Sequence, residues 1–123
     1  MPRVISLAEC FSKFSDTFSP KIVAELNGQH VKVVKVEGDK VPWHTHDTQD
    51  EMFFVIEGVL DIITRESTVQ VRANEFCIVP KNVEHRVAPQ GTVKLMLFEP
   101  AGIAHTGTVR AEITKDDDEW LEF

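Results

Sequence analysis

Short apolar segments separated by turn-forming residues occupy the sequence from residue 21 to residue 100 and restrict the folds open to it. The segments, rich in Val, Ile and Phe, are KIVAEL, HVKVVKVE, EMFFVIE, VLDIITRE, TVQVRA, EFCIVP, HRVAP and TVKLMLFEP. The breaks between them fall at Asn27-Gly28, Gly38-Asp39, Gly58, Ala73-Asn74, Pro80-Lys81-Asn82 and Pro89-Gln90-Gly91. Strands that recur about every ten residues between tight turns are typical of a sandwich or barrel, and not of alternating strands and helices. The pattern therefore predicts an all-β fold.

The two ends of the chain depart from this pattern. Near the N-terminus, SLAE has the form of a helix capping box and is followed by apolar residues at helical spacing, which predicts a short helix over residues 6–14. After Pro100 the pattern fades, and TKDDDEWLEF at 114–123 fits either a short C-terminal helix or a loosely docked tail. A chain of 123 residues without repeats or a linker is expected to form one domain, with a barrel core at 21–100 and a tail at 101–123.

The composition argues against several classes of protein. The formal net charge of −7 disfavours nucleic acid or an anionic membrane as the main partner. The sequence starts without the features of a signal peptide, and its longest apolar runs are too short to span a bilayer. Cys10 and Cys77 lie far apart in sequence, as expected for free thiols in a reducing compartment, so we expect a cytoplasmic protein.

The segment PWHTHDTQDEM, residues 42–52, contains the pattern most suggestive of chemistry. Residues two apart on a strand face the same way, so His44 and His46 should point to one side. Glu51 begins the next strand and can return its carboxylate to the same space. Two neutral imidazoles and a carboxylate suit a divalent transition metal, and His85 is the best candidate for a fourth ligand.

The region around these residues resembles the first motif of the cupin superfamily, G(X)5HXH(X)3–4E(X)6G. Gly38, His44, His46, Glu51 and Gly58 match every fixed position of that motif. The intervening spacings of five, one, four and six residues agree with it as well.

The second cupin motif, G(X)5PXG(X)2H(X)3N, is matched more loosely. Pro80 and His85 are in place, whereas Asn74 and Asn82 replace the two glycines and Pro89 replaces the asparagine. Asparagine tolerates positive φ better than most residues, so the two asparagines are expected to take the backbone conformation of the glycines.

The resemblance implies a small single-domain cupin. Such a protein is a jelly-roll β-barrel, also called a double-stranded β-helix, with one divalent transition metal (Fe, Mn, Ni or Zn) in its mouth. The chain is most similar to short bacterial cupins described as mannose-6-phosphate isomerase-like. That description indicates kinship and does not establish a reaction, because cupins include oxygenases, isomerases, lyases and storage or sensor proteins.

The strand phase predicts an apolar pocket next to the metal. Phe53 and Val55 share the inward face of Glu51, and Val87 shares that of His85. Gln49 could contact a ligand from the corner before Glu51. No Lys or Arg is predicted to enter the barrel as a phosphate clamp, which argues against a sugar-phosphate substrate. His30 and His105 are expected to be surface residues, with His105 also considered as part of a lid over the pocket.

Two functions remain open at this stage. The first is a metalloenzyme acting on a small organic substrate, with dioxygenase-type chemistry slightly favoured over isomerase or lyase chemistry. The second is a non-catalytic cupin that binds or senses a small ligand.

The sequence also predicts a homodimer. Met52, Phe54 and Ile56 face away from the barrel interior, as do Met96 and Phe98 on the last strand. An antiparallel sheet with one wet face should alternate apolar and polar residues, so this outer face needs a cover. A two-fold partner is the simplest cover, and the alternative is that the terminal segments fold over that face.

Overall fold

The computed structural model describes residues 1–101 and 118–123. The helix α1 spans Leu7–Ser12. In chain order the strands are β1 (Lys21–Leu26), β2 (Gln29–Val36), β3 (Glu51–Thr64), β4 (Thr68–Arg72), β5 (Phe76–Val79), β6 (His85–Pro100) and β7 (Glu119–Trp120). The predicted all-β architecture with a short N-terminal helix is confirmed.

The long strands β3 and β6 organise the sheet. The strands lie in the order β4-β3-β6-β2-β1-β7, and β5 also pairs with β3. The N-terminal half of β3 pairs with β5 and its C-terminal half with β4, while β6 pairs with both β3 and β2. Because each long strand changes partners along its length, the sheet curls around a core.

Gly58 and Gly91 lie inside β3 and β6, where the sequence pattern predicts breaks between separate strands. That part of the prediction is wrong, because the chain bends at these residues without leaving the sheet. Both residues have positive φ, +97° and +69°. The pairing of β3 with β6 shifts on both sides of Glu57, as in β-bulges. A Cβ at position 58 would lie 3.0 Å from the Thr92 carbonyl oxygen, so the bend requires glycine.

Two apolar clusters lie on opposite faces of the sheet. The cluster inside the barrel consists of Phe18, Val34, Val36, Phe53, Val55, Leu60, Ile62, Val71, Val79, Val87, Val93, Leu95 and Leu97. The cluster under α1 consists of Cys10, Phe11, Val23 and Val33, with Ile56 and Leu121 among the residues packed against it. Burying one such side chain contributes about 1.5–3 kcal/mol. Strand β2 is therefore apolar on both faces because both of its faces are covered.

The helix α1 is positioned by its cap and its apolar face. The Ser6 hydroxyl accepts a hydrogen bond from the Glu9 N–H at 3.2 Å, as predicted from the capping box. Cys10 and Phe11 are buried against the sheet. Among the described residues, no helix is long and apolar enough to cross a membrane.

The C-terminal segment forms a strand where the sequence allowed a helix. Residues 114–117 of the predicted helix lie outside the described residues. Further along, Glu119 and Trp120 pair in parallel with β1, and the Leu121 N–H donates to the Ile22 carbonyl at 2.9 Å. Of the two alternatives predicted for the C-terminal segment, the helix is wrong for 118–123 and the docked segment agrees with the structure, because the free edge of β1 supplies partners that a very short helix could not match.

Candidate metal centre

Backbone hydrogen bonds bring His44 and His85 together. The N–H of each donates to the carbonyl of the other, at 2.9 and 3.0 Å. The His46 carbonyl accepts from the Asn82 N–H at 2.8 Å, so the two segments are also joined at the next histidine. Asn82 and Asn74 both have φ of +67°, the glycine-like conformation that the motif comparison predicts for them.

Four buried side chains converge inside the barrel. One ligand atom from each of His44, His46, Glu51 and His85 lies within 4.8 Å of all the others. Glu51 Oε2 is 2.5 Å from His46 Nε2 and 3.5 Å from His85 Nε2. The structure therefore brings together at one point the four residues that the sequence predicts as metal ligands.

The backbone determines which ring nitrogen of His44 and His85 faces the cluster. His44 Nδ1 lies 2.8 Å from the Pro42 carbonyl oxygen, and His85 Nδ1 lies 2.9 Å from that of Val83. Because a carbonyl oxygen only accepts, both Nδ1 atoms carry the proton and donate it. Each Nε2 is therefore left with the lone pair that binds a metal.

His46 is held by a side chain instead. Gln49 Nε2 lies 3.0 Å from His46 Nδ1, and Gln49 Oε1 accepts from the Thr48 hydroxyl. In this orientation the amide donates to Nδ1, so the ring proton lies on Nε2 and faces Glu51. Reversing the amide would let Gln49 accept from Nδ1 and free Nε2 for a metal. Gln49, predicted to line the pocket, contacts a candidate metal ligand instead.

Burial and neighbouring groups set the protonation of the cluster. Burial would raise the pKa of Glu51, but the close His46 and His85 rings outweigh it and lower this pKa to about 2. Burial lowers the pKa of His44. Burial opposes the charged form of His46 too, but Glu51 overcomes this and raises its pKa. Glu51 is thus ionised at neutral pH, and His46 holds a proton more readily than His44.

The cluster fits a divalent transition metal. Among the described residues, three of its atoms have no hydrogen-bond partner outside the cluster: His46 Nε2, Glu51 Oε2 and His85 Nε2. Each such buried atom costs about 1–3 kcal/mol if it stays unpaired. At metal–ligand distances of about 2.0–2.2 Å, opposite ligands lie up to about 4.4 Å apart, so the widest separation needs a small contraction. The 2.5 Å separation of His46 Nε2 and Glu51 Oε2 needs a small widening.

An apolar cavity of about 50 Å³ adjoins the cluster. It is lined by Phe18, Pro20, Val34, Val36, Val41, His44, Glu51, Phe53, Val87, Leu95 and Leu97. Phe53 and Val87 border it, as the strand phase predicts. Val55, also predicted to line the pocket, is fully buried in the barrel core and does not border the cavity. The space suits a few water molecules or one small organic molecule.

A buried ionic group that the sequence did not predict lies on the face of the sheet that points into the barrel. Lys32 Nζ is 2.9 Å from Glu99 Oε1 and 2.5 Å from Asp118 Oδ2, and the three side chains are at most 4% exposed. Lys32 shares its face of β2 with Val34, and Glu99 shares its face of β6 with Leu97. The expectation that no basic residue enters the barrel is therefore wrong.

Glu99 lies close to the metal cluster. The β3–β6 pairing has Phe54 opposite Met96, and continuing that register by three residues places Glu51 opposite Glu99. Burial raises the pKa of Glu99; Lys32 opposes this rise and the Glu51 carboxylate adds to it.

The two remaining histidines, His30 and His105, are predicted to be surface residues and not metal ligands. His30 is predicted to be a surface residue, but its side chain is only 13% exposed and its ring packs edge-on against Trp120 at 5.6 Å. The prediction fails because β7 covers His30. His105 lies outside the described residues.

Comparison with known proteins supports the motif resemblance. The family model for the cupin domain matches residues 30–100, a range that includes all four candidate ligands. The chain belongs to the cupin domain family. The curled sheet of this cupin is accordingly the predicted jelly-roll barrel.

Several bacterial proteins are similar to this cupin. A cupin-2 domain containing protein from Shewanella frigidimarina is 40% identical, with a TM-score of 0.76 over 79% of this chain and 94% of that one. The protein NMB1881 from Neisseria meningitidis is 27% identical, with a TM-score of 0.72 over 80% of this chain and all of that one. The uncharacterized protein YdbB of Bacillus subtilis is 33% identical over 88 residues, 70% of this chain and 74% of YdbB.

Proposed function

We propose that this cupin binds one divalent transition metal, among Fe, Mn, Ni and Zn, and uses it to act on a small organic substrate. The proposed ligands are His44, His46, Glu51 and His85. The observation that carries the proposal is the convergence of their four buried ligand atoms, three of which have no hydrogen-bond partner outside the cluster among the described residues. When bound, such an ion supplies Lewis acidity and coordination positions for small molecules.

The formal charges of the side chains buried inside the barrel favour a divalent cation. The formal charges of Glu51, Glu99 and Asp118 are −1 each, whereas that of Lys32 is +1. With neutral histidines, these four side chains have a net charge of −2. Unbalanced buried charge is costly, and a divalent ion brings the sum to zero.

Other residues of the chain orient the proposed ligands and shape the cavity beside them. Backbone carbonyls hold the His44 and His85 rings with Nε2 facing inward. Gln49 lies against His46 Nδ1, and with its amide reversed it would accept the ring proton there and leave His46 Nε2 free for the ion. Phe53 and Val87 contribute to the apolar wall that limits water around a bound substrate.

The cavity favours oxidative chemistry over sugar-phosphate isomerisation. Three histidines and one carboxylate leave two positions of an octahedral ion open, as needed for a substrate and O₂. The adjoining lining is apolar apart from His44 and Glu51. Lys32 is paired with the carboxylates of Glu99 and Asp118, so a phosphate dianion at Lys32 would add negative charge to a group that is already acidic. We therefore propose dioxygenase-type chemistry, with a non-catalytic ligand-binding protein as the alternative.

Elemental analysis tests the metal site. Purified protein should contain about one transition-metal ion per chain, and His46→Ala should lose most of it because a ligand is removed. The matched control is His30→Ala, which removes a half-buried histidine that lies outside the cluster. Equal metal content in wild type and His46→Ala would refute the assignment.

Oxygen consumption distinguishes the two functions. Metal-loaded protein should consume O₂ with a member of a panel of diketones, catechols, thiols and hydroxy acids, and His46→Ala should not. Binding of a panel member without turnover under any metal would favour the non-catalytic alternative.

We also propose that the protein is a homodimer. An outer apolar patch consists of Met52, Phe54, Phe76, Ile78 and Phe98, adjacent across the paired strands β5, β3 and β6. Phe76 and Ile78 are more than half exposed, and Phe76 stacks on Phe54 at 6.1 Å. The cluster under α1 covers Ile56 but leaves this patch open among the described residues. A second copy is the simplest cover for such a surface.

Light scattering at micromolar concentration tests the dimer. The chain mass is 13.9 kDa, so the expected particle has about twice that mass, and Phe54→Lys should return it to a monomer because it buries a charge in the interface. A wild-type monomer would contradict the proposal.

Finally, we propose a cytoplasmic location, because Cys10 and Cys77 are both free thiols. Cell fractionation tests this location directly, and recovery of the protein from an oxidising compartment would contradict it.

A further inference from the structure

Lys32 and Glu99 are the strand neighbours of two residues that line the cavity beside the metal centre. Val34 and Leu97 line that cavity. Lys32 is the next interior-facing residue after Val34 on β2, and Glu99 is the next after Leu97 on β6. The Lys32 side chain therefore lies next to an apolar space whose wall also carries the candidate metal ligand Glu51.

Asp118, the third member of this ionic group, belongs to a lightly held segment. Among the described residues, segment 118–123 is attached by the two-residue strand β7, one further backbone hydrogen bond to β1 and the packing of Leu121. Trp120 also packs on the His30 ring, and Arg3 lies over the Phe123 ring. On the other face, Glu119 adds an ion pair with Lys21 at 3.4 Å. A two-residue strand at the edge of a sheet detaches at a lower free-energy cost than a core strand.

We propose that Asp118 occupies a carboxylate subsite inside the barrel, and that the natural ligand is a small organic acid whose carboxylate replaces Asp118 at Lys32. The inference rests on the proposed function, because the bound metal provides the second anchor for the ligand. The Asp118 carboxylate, 2.5 Å from Lys32 Nζ, indicates the position that the ligand carboxylate takes. The apolar walls between the two anchors accommodate a short hydrocarbon body.

The charge balance around Lys32 favours a ligand with a single negative charge. With a divalent ion bound and Asp118 in place, the charges of Lys32, Glu51, Glu99 and Asp118 are balanced. When Asp118 leaves, one positive charge is uncompensated, and a monocarboxylate restores the balance. A neutral analogue does not restore it, and a phosphate dianion reverses it.

Calorimetric titration of the metal-loaded full chain tests the inference, with acetate, propionate and butyrate as probes and the corresponding amides as neutral analogues. Asp118→Asn keeps the shape of the side chain and removes the competing charge. It should strengthen carboxylate binding roughly 10- to 100-fold, the factor associated with one charge-assisted hydrogen bond. The amides should bind wild type and variant equally.

The matched control is Glu119→Gln, which removes the same charge from the neighbouring residue but affects the pair with Lys21 on the other face. It should retain wild-type affinities. Lys32→Met should abolish carboxylate binding, and if that variant does not fold, the comparison of Asp118→Asn with Glu119→Gln still decides.

Three outcomes would overturn the inference. They are an unchanged carboxylate affinity in Asp118→Asn, an equal gain in Glu119→Gln, and an equal gain for the amides. Metal content is measured separately on each protein. Wild type without metal would refute the proposed function, whereas metal-replete protein that fails the carboxylate test refutes only the subsite.

Discussion

Removing the metal should lower the melting temperature without abolishing cooperative unfolding. The barrel core does not depend on the ion, because its interior cluster of buried residues packs around side chains such as Val55, Leu60 and Val93, which are fully buried. Chelation removes a ligand that binds only the folded state, and such a ligand stabilises the fold by mass action.

The size of this shift follows from the length of the chain. An unfolding entropy of about 2.1 cal/mol/K per residue gives about 0.26 kcal/mol/K for 123 residues. An ion present at 100 times its Kd stabilises the folded state by about 2.7 kcal/mol. Chelation should therefore lower the melting temperature by about 10 °C.

The difference between metal-loaded and metal-free protein should widen as the pH rises. In the metal-free protein the pKa of His46 is raised above its usual 6.5, so protonated His46 stabilises the fold below pH 6.5. That contribution is lost as the pH rises through the raised pKa. The ion binds only the neutral ring, so its stabilisation grows over the same interval. Glu51, with a pKa of about 2, stays ionised throughout.

The expected widening is up to about 1.4 kcal/mol per pH unit for one displaced proton, or about 5 °C per pH unit for this chain. Differential scanning calorimetry at fixed free metal, with and without chelator, measures it between pH 5.5 and 8, a range chosen to bracket a histidine titration. His46→Ala serves as the control and should show no chelator effect at any pH. A difference that is constant or shrinks with rising pH would refute the reasoning, and an unfolded metal-free protein would show that the core depends on the ion.

Three further substitutions test separate parts of the structure. Gly58→Ala should destabilise the fold by about 2–3 kcal/mol in denaturant unfolding, because of its positive φ and the nearby carbonyl, whereas Gly28→Ala, also at positive φ but in open space, should cost about 1 kcal/mol. Leu60→Ala should cost about 2–5 kcal/mol in the same assay, because it opens a cavity in the core. Gln49→Ala should weaken metal binding about 10- to 100-fold in competitive titration while leaving metal-free stability nearly unchanged, because it releases the His46 ring.

The sequence predicts the metal cluster well because its information is local. His44 and His46 are two apart on an extended segment, Glu51 starts the next strand, and alternation alone gives them a common direction. The partnership with His85 depends on a distant segment, so the residues offer His85 only as the best candidate for a fourth ligand, and the second motif supports it. The backbone carbonyls and the Gln49 amide that orient the rings depend on loop geometry, which periodicity does not encode.

The errors in the fold have an identifiable physical origin. Gly58 and Gly91 carry the same local signal as a turn, since a glycine at positive φ serves equally for a turn or a bulge. Only the pairing of β3 with β6 decides between them. Glu119–Trp120 form a strand because the edge of β1 is available, which is again a tertiary effect.

The buried position of Lys32 shows where the alternation of apolar and polar residues along a strand fails to predict the direction of a side chain. In β2, valines occupy both faces, with Val33 towards α1 and Val34 towards the barrel interior. Because neither face of β2 is polar, alternation does not determine whether the Lys32 side chain points to solvent or to the interior. That is decided only by the elements that cover both faces. Glu99 and Asp118 then follow as its partners, and neither is near it in sequence.

The bridge between His44 and His85 has a consequence for folding kinetics. It joins segments separated by the whole of β3, β4 and β5, so the ligand set is complete only after these strands have paired. A contact that forms so late is expected to be absent from the folding transition state. The ion should therefore leave the folding rate unchanged and appear almost entirely as slower unfolding. In the cell, such an ion would slow unfolding and so lengthen the lifetime of the folded protein in the presence of proteases that cleave unfolded molecules.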